Sequence, residues 1–421
     1  MPGGGPPHPL LSPASGERAG VRGKQGERPD MDFIRRMDPI LLFSTLALVG
    51  FGIVMVYSPS FPVGTERMGD PYHFLKKQAF AATLGIGLML AAARLNYRLW
   101  QVLALPLLIG SIGLLFLVFV PGVRQQIGGA YRWLKIYSFS FQPAELAKLA
   151  LVIYLARSLT NKEGRMESFT VGFLPQVIVM GILFLLVLKQ PDFGTGVLFV
   201  AVVFLMLFAA GTRLRFLGGA MLAALPVLVY LAVKTDYRWE RLLAFWNPWK
   251  DPGKGGFQII QSFLAFGAGK VFGVGLGDGK QKLFYLPEIH TDFIFSVIGE
   301  ELGLIGVSLI IVLFVILILR GFQSSYRAPD LFGTYLSLGI TSLIAIQTLL
   351  NMGVVMGLLP TKGSTLPFIS YGGTSLMINL MAVGILLNVY SQGGRSRNED
   401  PDRRGGNGRA PLPGPGRGRG F

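Results

Sequence analysis

The 421-residue sequence contains no cysteine, which excludes disulfides, thiol nucleophiles and cysteine-based metal sites and leaves the redox compartment open. Histidine is almost as scarce. His8, His73 and His290 are scattered along the chain, so a histidine-rich zinc site is excluded. Charged residues make up 15% of the chain against 51% hydrophobic ones, and the mean hydropathy is +0.51. A soluble domain carries more charge and less apolar surface. The apolar excess falls in separate long runs, which defines a polytopic membrane protein. A net charge of +16 raises nucleic acid as a partner, but part of it sits in tails without a folded recognition motif. No nucleic-acid partner is therefore expected, and the charge reads as topological or membrane-facing.

Residues 1–36 are a Gly, Pro and Arg mixture with few large apolar side chains, expected to form a disordered cytoplasmic arm. No long apolar core precedes residue 39, so the first run is expected to direct insertion itself. Ten apolar runs follow, at 39–58, 79–95, 100–120, 143–159, 171–189, 193–211, 215–233, 293–319, 333–358 and 373–391. Each approaches or exceeds the roughly 20 residues that cross a bilayer as a helix. The predicted fold is an all-α membrane domain over 37–391, with ten transmembrane helices. A large extracytoplasmic loop over 234–292 joins helices seven and eight. The tail over 392–421 carries seven Arg against three acids and is expected to be disordered. An even number of spans puts both termini on one side, and basic flanks place that side in the cytoplasm of a multi-pass inner-membrane protein. Arg94, Arg98, Arg157, Lys162, Arg165, Arg213, Arg215, Arg320 and Arg327 fall on the same side, while Lys76, Lys77, Arg124, Arg132 and Lys135 fall on the outer one.

The outer connectors hold the unusual material. Thr291 and Asp292 lie at the mouth of the eighth run, with Glu300 and Glu301 about two turns inside it. Ionisable groups at membrane depth are costly and point to function; Asp is also a favoured N-cap, and spacing alone ranks capping first at Asp292. Pro143 suits a first helical turn, Glu145 would face the positive helix end, and Lys148 lies one turn deeper on the same face. A local ion pair and a site are both open there. Trp133 reads equally as an interfacial anchor, and turn chemistry accounts for Pro191-Asp192.

In the long loop, Phe257 to Phe266 has helical spacing over too few residues to span, predicting a helix in the outer interface. Gly267 to Gly279 fits neither the dinucleotide fingerprint nor a P-loop, because Asp278 stands where the former needs its last Gly and Gln281 follows Lys280. Those glycines read as a flexible, turn-rich connector. The stretch from Pro360 to Ser375, including Ser370, breaks the helix with two prolines and several glycines. Non-helical backbone at membrane depth lines a cavity or is buried in protein.

Three stretches together carry a resemblance: Gln142-Pro143-Ala144-Glu145-Leu146-Ala147-Lys148; Leu286-Pro287-Glu288 with His290-Thr291-Asp292-Phe293-Ile294-Phe295; and Pro360-Thr361 with Leu366-Pro367-Phe368-Ile369-Ser370-Tyr371-Gly372-Gly373. The chain resembles the SEDS family (shape, elongation, division, sporulation) from about Pro39 to Tyr390. Through the Gly129 to Leu134 region it is closer to the elongation branch, RodA, than to the division branch, FtsW. The resemblance implies a peptidoglycan glycosyltransferase that polymerises lipid II outside the cytoplasmic membrane, with a class B penicillin-binding protein as partner. It makes Asp292 the essential carboxylate and Trp133 a functional loop residue. Lys270 stands where the family usually has Gly and is assigned no role.

On that reading Asp292 is a general base for the acceptor hydroxyl. Burial would raise its pKa toward working pH, while a helix N-terminus or a nearby Lys would lower it. Lys148 and Arg132 are candidates for the departing diphosphate; Asp192, Glu300 and Ser370 are further candidate substrate contacts. Glu145 could pair with Lys148 or hold a divalent cation, Mg or Mn. Direct displacement would invert the anomeric carbon and needs no second carboxylate. Two other classes remain open: a lipid flippase, which would also use intramembrane charges and broken helices, and a non-catalytic scaffold for the penicillin-binding protein.

Overall fold

The computed structural model describes residue 3 and residues 37–398, apart from 128–129, 137–138, 235, 251, 254–255 and 280–290. The expected N-terminal arm and the Leu286 to His290 part of the motif lie outside the described residues. The rest is mostly helical, as the apolar runs require.

Among the described residues a helix falls on each of the apolar runs: α1 (Pro39–Met68), α2 (His73–Arg94), α3 (Arg98–Leu117), α4 (Pro143–Asn161), α5 (Leu174–Lys189), α6 (Phe193–Ala209), α7 (Leu214–Val233), then, after two short loop helices, α8 (Asp236–Trp246) and α9 (Phe257–Gly269), α10 (Ile294–Arg327), α11 (Leu331–Val355) and α12 (Gly373–Asn398). Eight of them are long and apolar enough to cross a membrane among the described residues. The other two are α6, apolar but only 17 residues long, and α4. Helix α4 buries 14 of its side chains, Glu145 and Lys148 included, against the other helices. A helix surrounded by protein need not present apolar groups to lipid, so its composition is less hydrophobic. The last helix reaches Asn398, seven residues beyond the boundary expected at 391, so the tail does not begin where composition placed it.

Capping fixes the helix starts. Asp38 accepts from the backbone N–H groups of Ile40 and Leu41 at 3.0 and 3.2 Å, with Pro39 in the first turn of α1. Asp192 caps α6 through Thr195 N at 3.1 Å, and Asp330 caps α11 through Gly333 N at 2.8 Å.

Two features depart from the expected all-helical plan. The connector after α3 folds into an antiparallel sheet in the order β1 (Arg124–Ile127), β2 (Ala130–Ile136), β3 (Phe139–Phe141), with Gln125 opposite Trp133 and Leu134 opposite Phe141. The eighth run is not one helix either, because α10 breaks at Gly303, whose φ of 63° and ψ of −161° suit glycine. The 24 residues from Leu304 to Arg327 span about 36 Å at 1.5 Å per residue, enough to cross a bilayer alone. Glu300 and Glu301 thus need not lie two turns inside the membrane; they sit on a separate short helical piece above the break.

The glycine-rich segment explains how that break is tolerated. Val274 N and Gly275 N donate to the carbonyls of Glu300 and Glu301 at 3.0 and 3.1 Å, while Leu304 N and Ile305 N donate to the carbonyls of Lys270 and Val271 at 2.9 and 3.2 Å. Backbone groups orphaned by the break are satisfied by the loop. The approach is close enough that a Cβ at Gly269 or Gly273 would overlap the backbone of Gly299 or Glu301. The expected flexible connector is instead a backbone splint.

Candidate active site

Helix ends from across the chain meet at one end of the bundle. From α4, the buried Lys148 ammonium contacts Glu145 Oε1 at 2.9 Å and Gln347 Oε1 of α11 at 2.9 Å. Gln347 Nε2 donates to the carbonyl of Thr365 at 3.1 Å, tying the pair to the Pro360 to Ser375 break. The Glu145–Lys148 ion pair therefore exists, and it is also wired into two other elements.

Asp292 lies at the start of α10, but the N-cap position falls on Phe293, which makes no side-chain cap bond. Asp292 itself stands one residue before that position. Its backbone carbonyl is held by Asn351 Nδ2 of α11 at 2.9 Å, and the same amide nitrogen donates to the carbonyl of Ser364. Gly363 runs beside the carboxylate, where a Cβ would come within 2.9 Å of Oδ2. The glycine leaves the carboxylate room.

Next to it stands Lys362, which sequence reasoning missed. Its stem lies across Gly194, where any Cβ would overlap it, at the start of α6 beside Asp192. Burial pushes its ammonium down to about 8; the neighbouring charges of Asp192 and Asp292 oppose that fall and Lys148 adds to it. Lys362 is thus the group through which Asp192, Asp292 and Lys148 meet. A signal was present, since it is the only charged residue between Pro360 and Ser375. Arg241 of α8 braces the same loop, donating to the carbonyl of Thr361 at 3.2 Å.

The other candidates are placed differently. Arg132 of β2 donates to the carbonyls of Gln190, at 3.1 Å, and Pro191, fastening the sheet to the turn that carries Asp192. Trp133 is half-buried on β2. Ser370 Oγ accepts from Leu366 N at 2.8 Å and closes the turn within the break. Glu300, almost fully buried, lies by Gly279 at the splint.

Glu145 does not make a metal site with the described residues. One oxygen is taken by Lys148, Oε2 is buried without a hydrogen-bond partner, and no group of three His, Asp or Glu side chains converges among the described residues. A divalent cation needs more oxygen ligands than that and no ammonium beside it.

A bundle of long apolar helices whose broken connectors gather carboxylates and lysines at one end defines a polytopic membrane protein with a polar site there. Residues 39–394 match the FtsW, RodA and SpoVE family of cell cycle proteins, and the chain belongs to that family. A probable peptidoglycan glycosyltransferase FtsW from Geobacter sulfurreducens is 51% identical over 359 residues, covering 85% of this chain and 96% of that protein. A chain of a peptidoglycan synthase complex, in a structure described as coordinating polymerization and crosslinking, superposes with a TM-score of 0.69 at 32% identity, covering 85% of this chain and 98% of that one. Thermus thermophilus rod shape determining protein RodA superposes with a TM-score of 0.62 at 30% identity, covering 84% and 96%. The SEDS resemblance is therefore correct, while the lean toward the elongation branch is not matched by the 51% identity to an FtsW protein.

Proposed function

We propose that the chain is a glycosyltransferase that polymerises lipid II into peptidoglycan strands. The observation that carries this reading is a carboxylate, Asp292, held at a helix mouth beside the buried ammonium of Lys362, which also feels the charge of Lys148. Asp292 takes the proton of the acceptor sugar hydroxyl as its oxygen bonds to the anomeric carbon of the donor. The bond from that carbon to the diphosphate oxygen breaks, and polyprenyl diphosphate departs with the electron pair. Configuration inverts in the single displacement. Lys362 and Lys148 stabilise the charge developing on the diphosphate in a site partly shielded from water. Arg132 positions the Asp192 turn and Gln347 positions Lys148.

The similarity to the FtsW protein favours a role in division over elongation and cell-shape maintenance, and the similarity to a synthase-complex chain favours a penicillin-binding protein of class B as partner. On this reading the site faces outward from the cytoplasmic membrane and the termini lie inside.

The test is polymer formation from lipid II in detergent, by the full chain with its cognate class B penicillin-binding protein carrying an inactivated transpeptidase. Glycan polymer from the wild-type protein is expected. Absence of polymer, with lipid moved between leaflets of a vesicle instead, would overturn the reading in favour of transport.

A further inference from the structure

Cavities lie on two sides of the break in α10, and they differ in one respect. The first, about 340 Å³, is lined by Phe266 and Lys270 at the end of α9 and just past it, by Gly299, Gly303, Leu304 and Val307 of α10, and by Met356. The second, about 320 Å³, is lined by Gly50, Phe51, Val54, Met55, Leu276 and Leu302, without a charge. Both fall in the size range of small-molecule pockets, roughly 300–1,000 Å³. Lys270 alone distinguishes the first.

Lys270 is an unusual residue to find there. Its φ of 47° and ψ of −134° lie where glycine is comfortable and an L side chain is strained. The strain is imposed by the splint, because the Lys270 carbonyl must turn to accept from Leu304 N at 2.9 Å. Glycine would meet that demand without strain, so the splint explains the conformation and leaves the lysine unexplained. The side chain is exposed, and among the described residues no carboxylate pairs with it. Every other lining residue is apolar or glycine. A cation at the edge of an apolar cavity between membrane-associated helices matches a lipid that brings its own negative charge.

We propose that this cavity is a binding site for an anionic phospholipid, with an acyl chain against Phe266, Leu304 and Val307 and the phosphate on Lys270. The occupant is a diacyl lipid of the bilayer with a net negative headgroup, such as phosphatidylglycerol. It braces the junction at which α9 supports the broken helix.

The experiment measures phosphatidylglycerol and phosphatidylcholine retained by the full chain, purified in detergent after equilibration with vesicles containing both, by native mass spectrometry. The wild-type protein and Lys270→Arg should retain the anionic lipid preferentially. Lys270→Gln should lose about fivefold of that preference, the effect of one basic residue on an anionic lipid. Lys270→Gly should lose it equally while melting at a higher temperature, which separates lipid loss from damage to the fold. Leu304→Trp, at an exposed lining position, should reduce retention of the chain with Lys270 intact. Unchanged preference in Lys270→Gln and Lys270→Gly, or unchanged retention in Leu304→Trp, would overturn the proposal, as would equal retention of both lipids by the wild-type protein.

Discussion

The two ends of the bundle use charge in opposite ways. At one end Asp38, wholly buried, accepts from Ile40 N and Leu41 N and from two nitrogens of Arg320 at 2.7 and 2.8 Å. Nearby, Asp330 caps α11 and takes the Tyr97 hydroxyl at 2.7 Å and Arg98 Nε at 3.3 Å, while Asn388 accepts from Tyr97 N at 2.9 Å. Donors there are matched to acceptors, and the result is a clamp joining α1, α3, α10, α11 and α12. At the other end Lys148 and Lys362 lie close enough for one to depress the other's pKa, and Lys362 makes no ion pair among the described residues. Matched charges stabilise a fold, whereas at this end Lys148 is already paired with Glu145 and the buried Lys362 is left with nearby carboxylates but no contact ion pair among the described residues.

The largest test of that contrast is a pair of substitutions. Asp292→Asn should lower polymer formation by about 10²- to 10⁴-fold, the range for loss of a general base, with the melting temperature nearly unchanged. Asp38→Ala should do the reverse. The variant removes the α1 cap and the hydrogen bonds to Arg320, whose side chain is 23% exposed, and a hydrogen bond to a charged group is worth about 1.5–3 kcal/mol, so the melting temperature should fall while the rate per folded molecule is kept. Equal damage to both properties in both variants would erase the distinction between the ends.

A second test uses pH. With its ammonium near 8, Lys362 is mostly charged at pH 7 and about nine-tenths neutral at pH 9. Polymer formation should therefore fall about tenfold as pH rises through that window, and Lys362→Arg, whose charge persists, should flatten that limb. Stability should move the other way. The lysine binds its proton less tightly when folded than at its ordinary value of 10.5, so the unfolded chain holds more protons between about 8 and 10.5 and stability rises with pH there. Activity and stability that fell together would mean that Lys362 belongs to the clamp type of charge.

The sequence made one end far more legible than the other. Apolar runs located the long helices because lipid imposes a length and a composition, although α1 continues ten residues and α10 eight residues past the expected ends. Asp292, Glu145 and Lys148 could be singled out because charge beside an apolar run has few explanations. The break at Gly303 could not, since Gly303-Leu304-Ile305-Gly306 continues the apolar run and the partner that satisfies its backbone lies some 30 residues earlier. Lys362 escaped for a similar reason: its meaning comes from Asp192, Lys148 and Asp292, three residues far apart in the chain. Arg132 is a diphosphate candidate on the family resemblance, and its bonds to the turn carbonyls of Gln190 and Pro191, which no pattern reveals, show that it also positions the turn.

The smallest expected effect falls within the clamp. Tyr97→Phe removes a hydroxyl that donates to Asp330 at 2.7 Å without removing the buried ring, which stacks on Phe332 at a centroid distance of 6.2 Å. A hydrogen bond to a charged group is worth about 1.5–3 kcal/mol when nothing replaces it. Here replacement is at hand, because the Asp330 side chain is 32% exposed and keeps Arg98 and the Gly333 N–H. The loss should be about 1 kcal/mol in the unfolding free energy, read by denaturant titration, with polymer formation unaffected. A polar network with every group matched can give up one member and let water in at its edge. The Asp292 end has no such reserve, because Lys362 is shielded from the solvent that would have to take over from a missing neighbour.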